Sequence, residues 1–313
     1  MIQKVKSAML AMQRHSWEQA VCAQSLLESG DFETVVQMCY EAVNRQTEDG
    51  RLANIGGQNA VTDPVAIVPA MVKACEITGD PVLKAALEKA VRWMLEGAPR
   101  SSKGIIYHMD NASEFWVDSM YMLPPSLLSV GYADEAVKQA DGYIDALWDS
   151  ERHLFRHIWD DAKQEFRVGE YWGVGNGWAI MGLSRLIEYL PEKMAADRER
   201  YIEIAGKTIK AALALKNSED LFYNFLDKPD SFLEVGFAMT LCYTVAKGVK
   251  QGWLPEALLS EVGPIRAAAH KHISPYGIVT EVCGAPHFDK SGFAPEGQAF
   301  CVLMESVAAA TQD

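Results

Sequence analysis

The sequence predicts an all-α protein, an (α/α)6 barrel of six inner and six outer helices, on three observations. Strand signals are nearly absent, while helical periodicity recurs about twelve times along the chain. Tight corners and long loops alternate strictly. The helices alternate too, between segments that are apolar on every side and segments with one apolar stripe.

An opening segment over 1–13 and a second over 17–29, broken near His15-Ser16, supply the first helix pair. Gly30-Asp31, Gly79-Asp80-Pro81, Gly131-Tyr132 and Gly252-Trp253 each set a C-cap glycine or an N-terminal proline at a helix–helix corner. Leu190-Pro191 plays the same part. Long loops lie between these corners, over roughly 46–62, 97–112, 149–171, 216–230 and 271–293. Segment 63–78 (Asp63-Pro64-Val65-Ala66-Ile67-Val68-Pro69-Ala70-Met71-Val72 and onward) is apolar all round, as an inner helix must be. Segment 80–96 carries Leu83, Leu87, Ala90 and Met94 on one face and Lys84, Glu88 and Arg92 opposite, which suits an outer helix. Inner helices are expected to start near 17, 63, 113, 173, 231 and 294. In such antiparallel hairpins every long loop falls at the same end of the molecule. An open α-solenoid is the rival arrangement; inner-helix spacings of about 46 to 62 residues are too long and uneven for tetratricopeptide or ankyrin repeats. Residues 1–313 are read as one catalytic barrel domain.

Composition narrows the function. The chain is 49% hydrophobic and 23% charged, as in soluble globular proteins, and no run of eighteen apolar residues offers a membrane span. The opening Met1-Ile2-Gln3-Lys4-Val5-Lys6 leads into a short mixed stretch cut off by Gln13-Arg14-His15, unlike a secretory signal. Cys22, Cys39, Cys75, Cys242, Cys283 and Cys301 form no CxxC pair and read as reduced core residues, so a cytoplasmic location is expected. A net charge of −13 argues against nucleic acid and anionic membrane as partners. No metal or organic cofactor is expected, because no His, Cys and carboxylate set has ligand spacing.

If the alternation holds, one rim gathers Trp17-Glu18-Gln19, Asp63, Trp116, Asp118, Trp172, Asn176, Trp178, Glu234 and Glu296. The loops add Arg51, His108, His157, Trp159, Asp160 and His287. Tryptophans around a few carboxylates suit a carbohydrate: aromatic faces cover apolar sugar faces, and carboxylates and amides bind hydroxyls. Asp118 is the candidate acid. Trp116, Val117 and Met120 surround it with apolar groups that raise a carboxyl pKa toward neutrality. Asp63 before Pro64, taken alone, reads as a plain helix N-terminus. Trp172 and Trp178 read equally as core wedges beside Gly173, Gly175 and Gly177, whereas Glu234 and Glu296 read first as capping or loop-bracing carboxylates.

Five pieces together resemble the unsaturated glucuronyl and rhamnogalacturonyl hydrolases of glycoside hydrolase families 88 and 105, closest to 105. They are Ser16-Trp17-Glu18-Gln19-Ala20-Val21, Phe115-Trp116-Val117-Asp118-Ser119-Met120-Tyr121-Met122, Trp172-Gly173-Val174-Gly175-Asn176-Gly177-Trp178, Asp230-Ser231-Phe232-Leu233-Glu234 and Pro295-Glu296-Gly297-Gln298-Ala299-Phe300. The resemblance implies an (α/α)6 barrel that hydrates the C4=C5 bond of a terminal unsaturated uronic acid on a lyase-generated oligosaccharide. It implies Asp118 as general acid/base, Asp63 as the second catalytic Asp, Trp116 and Trp172 as stacking residues and His157 as substrate-binding. Val174 departs from the pattern, because many family 105 members carry Arg there; Arg51, His108 or His287 is then expected to meet the uronate carboxylate. Two rivals remain: a sugar epimerase on the same barrel, which would need histidine pairs on inner helices, and a non-catalytic toroid that binds glycan or protein.

Overall fold

The computed structural model describes residues 1–55 and 59–309. Its helices are α1 (Ile2–Met12), α2 (Ser16–Glu28), α3 (Phe32–Asn44), α4 (Val68–Thr78), α5 (Pro81–Arg92), α6 (Ser119–Met122), α7 (Pro124–Ser129), α8 (Ala133–Leu147), α9 (Gly173–Tyr189), α10 (Ala195–Leu213), α11 (Val235–Lys250), α12 (Leu258–His270) and α13 (Pro295–Ala309). Short α6 and α7 make one inner element interrupted at Leu123, where Pro124 and Pro125 remove two backbone donors.

The inner ring closes. α2 packs on α13, α13 on α11, α11 on α9, α9 on α6 and α7, α7 on α4, and α4 back on α2. That closure excludes the open solenoid and gives the (α/α)6 barrel. Outside it, α3 packs against α2 and α4, α5 against α4, α8 against α7, α10 against α9, α12 against α11, and α1 against α13. The apolar faces meet in one cluster running from Val5 to Val307, and all six cysteines are buried and free. No helix among the described residues is long and apolar enough to cross a membrane.

The corners follow the reading from sequence. Gly79 ends α4 with φ +66°, a left-handed conformation that turns the chain straight into Asp80, whose carboxylate caps α5 through Val82 N–H. Three expectations need correction. The α1–α2 connection is only Gln13–His15, so five of the six outer-to-inner links are long. The inner helices expected near 17, 173 and 294 start where expected, but two others start late: Asp63–Val65 is a 3-10 turn ahead of α4, and the element expected near 113 begins as a strand. The expected near-absence of strands also fails, because the long loops hold short antiparallel pairs. Among them are Glu114–Trp116 with Ile158–Asp160, Leu233–Glu234 with Phe222–Tyr223, and Val282–Gly284 with His287–Gly292. Strands of two to six residues are too short for a period-two pattern to stand out.

The glycines of α9 are packing devices. A Cβ at Gly175 would stand 2.5 Å from Val117 Cγ1, and one at Gly182 would overlap the Met120 carbonyl group. Val117 and Met120 flank Asp118, so close approach of α9 sets the position of that segment. Gly182→Ala is expected to destabilise the protein by about 1–3 kcal/mol, because a backbone neighbour cannot yield cheaply. Thermal unfolding reads this as a fall of several degrees in Tm; an unchanged Tm would contradict the close packing.

Candidate active site

Inner-element starts and the long loops enclose a cavity of about 790 Å³ at one end of the barrel. Three carboxyl groups reach it from three such starts. Asp63 opens the 3-10 turn before α4, Asp118 is the residue ahead of α6, and Glu296 lies in the first turn of α13. Local structure keeps Asp118 available. Strand Glu114–Trp116 pairs with Ile158–Asp160, and Val117 N–H donates to His157 O at 3.0 Å, which fixes Asp118 beside His157. The Asp118 side chain makes no capping bond to α6, and its Oδ2 is buried with no hydrogen-bond partner among the described residues. Glu296 is similar: Oε1 accepts from Trp17 Nε1–H at 2.6 Å, and Oε2 is buried without a partner. Buried polar atoms normally find partners, so two orphaned carboxyl oxygens in one cavity mark a place where something else binds.

Two histidines stand opposite two of these acids. His108 Nε2 lies 3.7 Å from Asp63 Oδ1, and His157 Nε2 lies 3.9 Å from Asp118 Oδ2. The other nitrogen of His108, Nδ1, is within 2.7 Å of Thr62 Oγ1 and 3.1 Å of Ser119 Oγ. Aromatic rings hold both imidazoles. Trp116 stacks on His108 at 4.5 Å, and Trp172 leans on His157 at 4.6 Å while its Nε1–H donates to Asn224 Oδ1 at 3.1 Å.

Burial sets the electrostatics. It pushes Asp118 up to about 7 and Glu296 up to about 8, Glu18 adding repulsion at the latter. It also carries Asp63 well above the usual carboxylate range, with Asp118 and Glu296 pushing the same way. The same burial brings His108 down to about 3 and His157 down to about 4, so both imidazoles are neutral near pH 7. The site is therefore a set of acids able to hold protons at neutral pH, beside neutral bases.

Of the residues expected from sequence, Trp17, Asp63, His108, Trp116, Asp118, His157, Trp172 and Trp178 line the cavity. Arg51, Asn176 and His287 do not. Arg51 bonds Asp49 at 3.0 Å and Asp110 at 3.1 Å, and its guanidinium lies over the Trp93 ring. Asn176 is buried, its amide bonded to Phe155 N at 2.8 Å and Phe155 O at 3.0 Å, so it braces the loop that carries His157. His287 is exposed on its hairpin. Glu234 is also off the cavity lining: it receives N–H bonds from Gly236, Phe237 and Cys283, the bracing role. Sequence reasoning missed His15, stacked on Trp17 at 4.3 Å, together with Asn224, Phe225, Phe288 and Asp289. These sit in loops without periodicity; the aromatic pattern of Phe225 and Phe288 was the only available signal. Among the described residues no group of three or more His, Cys, Asp or Glu could hold a metal ion.

Comparison with known proteins places the chain in a family. The family model described as Glycosyl Hydrolase Family 88 matches residues 1–296. The unsaturated rhamnogalacturonyl hydrolase YesR of Bacillus subtilis (strain 168) is 28% identical over 226 residues, 66% of this chain and 62% of that protein. The match thus spans about three fifths of that curated relative's length. A possible member of the GH105 family from Salmonella enterica has a TM-score of 0.85 at 19% identity, covering 100% of this chain and 93% of that one. The unsaturated glucuronyl hydrolase of Bacillus sp. GL1 has a TM-score of 0.68 at 13% identity, covering 94% and 84%. At these identities the two structures speak for the fold alone. The family-model match over nearly the whole chain shows that this protein belongs to Glycosyl Hydrolase Family 88.

Proposed function

We propose that the chain, acting as a single barrel, is a glycosidase that removes a terminal 4,5-unsaturated uronyl residue from oligosaccharides by hydrating its C4=C5 bond. The observation that carries this reading is the Asp118 carboxyl, which has an unpartnered oxygen, lies beside neutral His157 and belongs to an aromatic-lined cavity. An enol ether needs a proton on carbon, and a carboxyl that stays protonated near pH 7 supplies it. Relatives whose names specify unsaturated rhamnogalacturonyl and 3S-rhamnoglycuronyl hydrolases support the substrate class.

In this reading Asp118 gives its proton to C4, and the positive charge forms at C5 and the ring oxygen. The Asp118 carboxylate then takes a proton from water as the water oxygen bonds to C5, which regenerates the acid. The product is a hemiketal. It opens by breaking the C5–ring oxygen bond, and the hemiacetal left at C1 releases the aglycone, so one water is consumed overall. Trp17, Trp116 and Trp172 cover the apolar faces of the sugar. Asp63 binds hydroxyls of the sugar, and burial alone holds the proton on Asp118.

Loss of the ultraviolet absorbance of the conjugated acid is the assay. Asp118→Asn is expected to abolish that loss, by about 10³-fold or more as for removal of a general acid. Asp63→Asn should slow it less. The reverse order would exchange the two roles, and a silent Asp118→Asn would favour a toroid that only binds. The pH dependence follows from the raised carboxyl. The reactive form is protonated, so kcat/KM should fall about tenfold per pH unit above about 7. A profile that rises through that range would rule out Asp118 as the proton donor.

A further inference from the structure

The cavity wall is rich in acids and poor in basic side chains. Asp63, Asp118, Glu296 and Asp289 all line it, and no Lys or Arg stands among its lining residues. Segments 56–58 and 310–313, which lie outside the described residues, contain no Lys or Arg either. The lining histidines are His15, His108 and His157, and burial keeps the last two neutral.

Two cations approach aromatic residues of the wall, and each is paired. Arg167 is 5.4 Å from the Trp116 ring centre and bonds Glu114 at 2.8 Å; Lys228 is 5.3 Å from the Phe225 ring centre and bonds Glu170 at 3.0 Å. Backbone donors at the starts of two helices are engaged by the protein itself. Gly173 N–H, the first of α9, donates to Asn224 O at 2.7 Å, and the early N–H groups of α11 go to Glu234.

A free uronate carboxylate would enter this space with no Lys or Arg on the wall to receive it, and an unpaired charge is costly to desolvate. Esterification removes the charge and keeps the carbonyl acceptor. Ile158, Val168 and Val174 line the same cavity and offer the apolar contact that an alkyl ester needs. We infer that the unsaturated sugar accepted here is uncharged at C6, an ester of the 4,5-unsaturated uronate rather than the free acid. This inference rests on the hydration reading above and specifies its substrate.

The test compares one unsaturated uronyl disaccharide as free acid and as C6 methyl ester, near neutral pH. Calorimetric titration of Asp118→Asn, which leaves both compounds intact, gives the affinities without the different intrinsic reactivity of ester and acid. The ester is expected to bind at least about tenfold tighter. Adding Val174→Arg, which puts a guanidinium on the wall, should reverse the order. Free acid binding as tightly as the ester, or more tightly, in Asp118→Asn alone overturns the inference, whether or not the double variant folds. Absence of absorbance loss with both compounds in the wild-type chain overturns the hydration reaction itself, and this inference with it.

Discussion

Desolvation of a carboxyl group is the constraint on which the rest of this structure depends. Asp118 keeps a buried oxygen without a partner, and Asp63 and Glu296 share the same cavity. Ionising any of them there costs free energy that water would otherwise supply. Because Asp118 rises from 3.8 to about 7, the folded state holds a proton that the unfolded chain has already lost, and stability falls as pH climbs between those values. A fold tolerates such a loss when the surrounding structure leaves the group nowhere else to go.

The barrel supplies that confinement. Closure of the inner ring brings the starts of α4, α6 and α13 to one end, so acids far apart in sequence come together. Gly175 and Gly182 let α9 press against Val117 and Met120, on either side of Asp118. Asn176 ties the same helix to Phe155, two residues before His157. Glu234 takes three backbone N–H groups and joins the start of α11 to Cys283, which lines the cavity. The residues nearest the proposed chemistry are thus held by residues that do not touch it.

Much of this was legible before any coordinates. Apolar periodicity and the corner residues such as Gly79 and Asp80 are local signals, and they gave the helices, their alternation and the shared loop end. Asp118 stood out because its flanks, Trp116, Val117 and Met120, are adjacent in sequence, so its apolar surroundings could be read directly. What was not legible depends on contacts between distant segments. The pairing of Glu114–Trp116 with Ile158–Asp160 leaves too short a trace, and nothing local announces that Phe288 and Asn224 line one cavity with Trp172 and Asp118. Arg51 shows the same limit: its charge is visible in the sequence, but its engagement by Asp49 and Asp110 becomes visible only in three dimensions. Asn176 carries a family motif yet serves as a brace.

The central claim is that a proton from Asp118 reaches C4 and the nucleophile then adds at C5. Running the reaction in water containing methanol tests it most directly. Methanol added at C5 gives a ketal that has no free hydroxyl and cannot collapse, so the bond to the aglycone survives and the product can be characterised by NMR. The account predicts a C5 methyl ketal with the aglycone still attached and the double bond gone. A methyl glycoside at C1 with C4=C5 intact, alongside free aglycone, would contradict it.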